Sequence, residues 1–119
     1  MFGTTPLVII DTTEALDELI DKLLEFPVIG IDTEGDSLHH YQERVSLVQL
    51  SDSSTDYIVD PLKVDDMSRL GELTSHPDQV TVLHGGDYDV VSLKRDFGCQ
   101  FANIFDTMIA SQFLGLPRI

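Results

Sequence analysis

Asp32 and Glu34, separated by one residue, stand at the end of the apolar run Val28 to Ile31 in the segment VIGIDTEG. In an extended strand, side chains i and i+2 project from the same face, about 7 Å apart along the backbone. Like charges so placed repel each other and raise each other's pKa. A divalent cation removes that cost, and a ligand set made only of oxygens suits Mg²⁺ or Mn²⁺ better than Zn²⁺. Gly35 follows at once and leaves room for a ligand to approach the backbone. The plainer alternative is a pair of solvated carboxylates at a strand end. The apolar residues before Asp32 weigh against it, because the pair then emerges from a core and not from a solvated edge.

A second constellation, Leu83-His84-Gly85-Gly86-Asp87-Tyr88-Asp89, falls where a strand turns into a helix. Ligands gather at such junctions in α/β sheets. Asp87 reads as the N-cap of that helix. Asp89 lies in its first turn, where a carboxylate also gains from the helix dipole; spacing alone is equally consistent with dipole stabilisation and with metal binding. His84 is expected to make a structural hydrogen bond, and Tyr88, turned about 100° from Asp89, to pack. Gly85-Gly86 is not a phosphate loop, since the lysine and flanking spacing of that motif are missing. His39 and His40 read as solvated loop residues. Arg44, Lys94 and Arg95 are the candidates for phosphate contact, although a solvated helix face explains the last two equally well. Cys99 reads as a small buried residue, Asp60 as a strand terminus and Asp106 as a helix cap.

The elements that must hold these residues alternate in type, which predicts an α/β architecture. Leu7 to Ile10 reads as a strand, followed by a helix capped by Asp11 with Glu14 three residues on. Leu16, Leu19, Ile20, Leu23 and Leu24 form its apolar stripe, and Pro27 ends it. Val28 to Thr33, Val45 to Leu50 and Tyr57 to Val59 read as an antiparallel meander, the middle strand apolar enough to be covered on both faces. A short helix over Asp65 to Leu73, a strand over Val80 to His84 and a helix over Tyr88 to Phe97, ended by Gly98, follow. Phe101 to Phe105 is a last short strand, and Asp106 opens a helix that stops at Gly115.

A chain of 119 residues is enough for a single domain with one core. Its seven basic and 21 acidic residues give a net charge of −14, which disfavours non-specific binding to polyanions and anionic membranes. The apolar runs are too short to span a bilayer, and no signal-peptide pattern opens the chain. The one cysteine cannot form an internal disulfide, so a reducing cytoplasm is the expected setting.

The segments VIGIDTEGDSL, VSLVQLS, YIVDPL, VLHGGDYDVVSLKRDFG and NIFDTMIASQFLG follow in the order and spacing found in the DEDD superfamily of 3′–5′ exonucleases, and the chain most resembles the ribonuclease D branch. Asp32 and Glu34 match the first exonuclease motif. Asp89, five residues after His84 and six before Arg95, matches the second-motif aspartate better than Asp87 does. The resemblance implies an RNase H-like mixed sheet, an antiparallel meander plus parallel strands with covering helices. It implies hydrolysis of 3′-terminal nucleotides of RNA or DNA with two Mg²⁺ or Mn²⁺ ions, about 4 Å apart, as cofactors. Asp32 would bridge both ions, Glu34 would hold the water-side ion and meet the terminal nucleotide, and Asp89 would support the other ion. Thr33, Gly35, Ser37, Leu38, His39 and Tyr41 would lie beside the terminal nucleotide.

The resemblance also implies a third motif, a Tyr followed four residues later by Asp, and none occurs after Asp89. Residues 1–119 are therefore expected to be the N-terminal portion of one exonuclease domain, incomplete at its C-terminus, weak in metal binding and poor in cleavage. Apolar surface left bare is expected to drive self-association or exchange of terminal segments. The alternatives are an inactive module that binds a nucleic-acid end or a protein, and a phosphodiesterase for short oligonucleotides. Two divalent ions would reverse the sign of the site locally, which suits capture of a single 3′ end better than extended binding.

Overall fold

The computed structural model describes residues 6–36 and 44–115. In chain order the elements are β1 (Leu7–Ile10), α1 (Thr13–Leu23), β2 (Val28–Asp36), β3 (Arg44–Ser51), β4 (Asp56–Val59), α2 (Leu70–Thr74), β5 (Val80–Leu83), α3 (Asp87–Phe97), β6 (Ile104–Asp106) and α4 (Thr107–Phe113). Among the described residues these strands make one six-stranded sheet in the order β1-β4-β3-β2-β5-β6. The meander is as expected, with β2 antiparallel to β3 and β3 antiparallel to β4. β5 and β6 then add in parallel beyond β2, and β1 adds in parallel to β4. No helix among the described residues is long and apolar enough to cross a membrane.

One face of the sheet carries the core. Leu16, Leu19, Ile20 and Leu23 of α1 are buried with Ile29 and Ile31 of β2, Val48 and Leu50 of β3, Val59 of β4 and Leu93 of α3. On the other face Val28 is 48% exposed, and Leu47 and Gln49 are half-buried. The apolar run of β3 is thus covered on one side among the described residues, and not on both as its composition predicts. Leu24, the end of the expected stripe, is only half-buried at the C-cap of α1.

Four boundaries differ from the sequence expectation, each for a local reason. Thr12 caps α1 in place of Asp11: its extended backbone aims its hydroxyl at Ala15 N, which donates at 3.1 Å. α2 begins at Leu70 because Asp65 N and Asp66 N donate to Thr13 Oγ1 and Ser68 N donates to Asp66 Oδ1. Such side-chain acceptors offer the backbone turns in place of helix. β6 is confined to Ile104–Asp106, the residues in register with Thr81, Val82 and Leu83. β2 continues past Thr33 to Asp36, since β3 offers partners as far as Arg44. Asp32, Thr33 and Glu34 therefore lie within a paired strand, and the register shifts only between Glu34 and Gly35.

Candidate active site

The site forms where β2, the β5–α3 turn and the β6–α4 junction meet. Gly85 takes a left-handed φ of 60°, which glycine adopts without steric cost. Gly86 packs so closely that a Cβ there would lie 2.6 Å from Leu83 Cβ. Gly86, and not Asp87, occupies the cap position of α3, and it has no side chain to cap with. Asp106 takes up that work from the neighbouring strand. Gly85 N and Gly86 N donate to its Oδ1 and Oδ2 at 2.9 and 2.7 Å, and Met108 N and Ile109 N donate to Oδ1 from α4. Burial works to raise the Asp106 pKa, but these four amides outweigh it and hold the carboxyl below the ordinary range.

This clamp sets the entry angle of α3 and so the place of Asp89. Asp89 is 7% exposed, and Thr33 Oγ1 donates to its Oδ1 at 2.5 Å. Its pKa is raised chiefly by burial, with the charges of Asp32 and Asp106 adding to the effect and hydrogen bonds from Thr33 opposing it. Asp32 and Asp89 are thus close enough to feel each other's charge. Asp32 itself is exposed, and Thr33 N donates to its Oδ1 at 2.9 Å. It borders a cavity of about 320 Å³ on the open face of the sheet, with Gly30, Gln49, Ser51, His84 and Thr107. Glu34 and Gly35 are exposed further along β2, and the Glu34 carbonyl accepts from Ser46 Oγ at 3.2 Å.

The sequence-predicted residues divide accordingly. Asp32, Thr33 and Asp89 come together, with Glu34 two residues along the same strand. Thr33, read from sequence as a substrate contact, turns its hydroxyl to Asp89. Ser37, Leu38, His39 and Tyr41 lie outside the described residues. His84 makes the expected structural bond: its Nδ1 and Thr107 Oγ1 share a hydrogen bond at 2.7 Å, and Thr107 Oγ1 lies 3.2 Å from the Leu83 carbonyl. Tyr88 does not pack and is 47% exposed. Cys99 is buried, which pushes its thiol pKa up. Sequence reasoning missed Gln49, which stands opposite Asp32 in the β2–β3 register, and the double role of Asp106; a carboxylate one strand away from a Gly-Gly turn was the available signal.

Donor chemistry and repulsion between Asp32 and Asp89 both fit a divalent cation, since the carboxylates offer oxygen ligands and the like charges want a counter-ion. Among the described residues, no group of three or more His, Cys, Asp or Glu side chains is arranged to hold a metal ion. The carboxylates are neighbours, and they do not form a ready-made three-ligand centre.

A mixed sheet in this order, with covering helices, is an RNase H-like fold. The chain belongs to the 3′–5′ exonuclease family, whose model matches residues 7–119. It is 36% identical over 120 residues to the exosome complex component 10 homolog of Drosophila melanogaster, an alignment covering 100% of this chain and 13% of that protein. Its fold matches the catalytic core of RRP6 from Trypanosoma brucei, solved as a cysteine mutant, with a TM-score of 0.92 and 39% identity over 98% of this chain and 33% of that one. Ribonuclease D of Escherichia coli, described as an exoribonuclease involved in structured RNA processing, matches with a TM-score of 0.87 and 31% identity over 95% of this chain and 30% of that one. The resemblance to the ribonuclease D branch holds in both sequence and fold, and the chain spans a minor part of each of these relatives.

Proposed function

We propose that this chain supplies the carboxylate half of a 3′–5′ exoribonuclease site, with Asp32, Glu34 and Asp89 as the divalent-metal ligands. The observation that carries the reading is the closeness of Asp32 to buried Asp89, whose carboxylate Thr33 holds; burial raises the Asp89 pKa and the charge of Asp32 adds to it by repulsion. Each bound ion would neutralise that repulsion and lower the pKa of a water, the general chemistry of two-metal phosphodiester hydrolysis. Thr33 holds the Asp89 carboxylate in place, and Asp106 holds the turn from which Asp89 projects. RNA is the preferred substrate class in this reading because ribonuclease D, similar over nearly the whole chain, is described as acting on RNA.

The 119-residue polypeptide contains no Tyr-x-x-x-Asp after Asp89, and by this reading it cleaves slowly. The test is release of mononucleotides from the 3′ end of a 5′-labelled oligoribonucleotide. Slow, Mn²⁺- or Mg²⁺-dependent release that needs stoichiometric protein and disappears in Asp32→Asn is expected. Metal-independent release, or release that survives Asp32→Asn, contradicts the assignment, and fast multiple turnover contradicts the impairment. Metal binding with no cleavage at all favours an end-binding module instead, and faster cleavage of dinucleotides than of long RNA favours a phosphodiesterase for short oligonucleotides. Exposed Ile104, Phe105, Ile109 and Phe113 border an open cavity at the β6–α4 edge, and we read this surface as one that promotes self-association. A strictly monomeric chain by light scattering at high concentration contradicts that reading.

A further inference from the structure

β2 and β3 pair regularly from Gly30 opposite Ser51 to Glu34 opposite Leu47, and the next pair is Gly35 opposite Val45. Ser46 is left over, so the ladder carries a one-residue bulge beside Glu34. Side chains alternate faces along a strand. Counting back from Val48, which lies in the core, regular alternation would bury Ser46 and turn Val45 to the open face. The bulge reverses that order: Val45 is buried in the core and Ser46 is half-buried.

Two polar contacts hold this bulge. Ser46 Oγ donates to the Glu34 carbonyl at 3.2 Å. Val45 N donates to Asp96 Oδ2 at 2.8 Å, across from β3 to the last turn of α3. The Asp96 carboxylate is itself fixed, because Arg95 donates to it from Nε at 2.7 Å and from Nη2 at 3.2 Å. Asp96 follows Asp89 by seven residues, about two helical turns, so both carboxylates lie on one side of α3. The helix is thus tied to β2 at its start, through Asp89 and Thr33, and to β3 at its end, through Asp96 and Val45. Asp32 and Thr33 stand in the regular part of the ladder, opposite Gln49 and Val48, whereas Glu34 is the last residue before the bulge.

We propose that Asp96 is a positioning residue for Glu34: by accepting from Val45 N it fixes the Ser46 bulge, and the bulge fixes the stretch of β2 that carries Glu34. The proposal deepens the metal-site reading above and rests on it. Bulges occur beside active sites, where they re-aim a side chain. A bulge that served only to bury Val45 would bear on stability and leave metal affinity alone. Loss of the Asp96 acceptor should instead disturb Glu34 and spare Asp32 and Asp89, which are held by other partners.

The experiment is a double-mutant cycle of Asp96→Ala with Glu34→Gln in the 119-residue chain, read as Mn²⁺ affinity by electron paramagnetic resonance. Asp96→Ala is expected to weaken the tightest Mn²⁺ site about three- to tenfold, and to have no further effect once Glu34→Gln is present. Asp96→Asn keeps an oxygen acceptor for Val45 N and should restore most of the affinity. Ser46→Ala, at a half-buried position, should give a smaller loss with the same dependence on Glu34, and it decides the matter if Asp96→Ala does not fold. Unchanged affinity in Asp96→Ala overturns the proposal. So does an equal loss in both backgrounds, which marks general damage, and failure of Asp96→Asn to restore binding overturns the acceptor role. Wild-type affinity in Glu34→Gln, with the site lost in Asp32→Asn, overturns the proposal and leaves the metal reading standing. A tightest site that survives both Asp32→Asn and Asp89→Asn defeats the metal reading itself.

Discussion

Thr33 sits between the two acidic residues that define the strand motif, and its hydroxyl is spent on a third. Asp89 is buried beside like charges, so its partner matters more than an exposed one would. Thr33→Val keeps the shape, removes the donor and leaves the carboxylate underpaired; a loss of about 1–3 kcal/mol in urea unfolding is expected. An unchanged midpoint contradicts the role assigned to the hydroxyl. Asp106 gives a pH signature of the opposite kind. Its folded pKa is depressed, so the stability it contributes is fully present above the unfolded value, about 3.9, and is lost as pH falls through the folded value. Asp106→Ala should cost about 0.5–2 kcal/mol at neutral pH, as for loss of a helix cap. It should also flatten the fall in stability below about pH 4. A thermal-melt series across pH 3–7 measures both, and a variant with wild-type pH dependence contradicts the amide clamp.

At the scale of elements, α1 and the β5–α3 turn bear most on the fold. Leu16, Ile20 and Leu23 are fully buried, and truncating one leaves a cavity: Leu16→Ala is expected to cost about 2–5 kcal/mol by chemical denaturation. Gly86→Ala must displace Leu83, whose Cβ would be 2.6 Å away, and should lower the melting temperature and metal binding together. Most of these elements were legible in the sequence because their signals are local. The stripe of α1, the αL glycine Gly98 that ends α3 and the side-chain cap of α4 by Asp106 all appear where periodicity and capping chemistry put them. The errors arose where two local signals competed. Thr12 outbid Asp11 for one cap, Asx-type turns over residues 65–68 delayed α2, and the Asp87 cap failed because a carboxylate from another strand already held the turn amides.

Among the described residues the sheet has one covered face and one half-open face; Asp32 borders the cavity on the second, while Thr33 and Asp89 meet on the first. That asymmetry was not legible in the apolar run of β3, because composition reports how much surface wants burial and not which neighbour buries it. The pairing of Asp32 with Asp89 was legible only through the order of five segments, since 57 positions separate the two residues. The contact through Thr33 and the clamp through Asp106 depend on strand order and could not be read from spacing. The central claim is that these neighbouring carboxylates exist to hold divalent metal. Its most direct test is Mn²⁺ binding to the 119-residue chain, followed by calorimetry or electron paramagnetic resonance, in the wild type and in Asp32→Asn and Asp89→Asn. The tightest Mn²⁺ site should be lost in both variants while the weak background binding of an acidic surface remains; a tightest site that survives both substitutions contradicts the account.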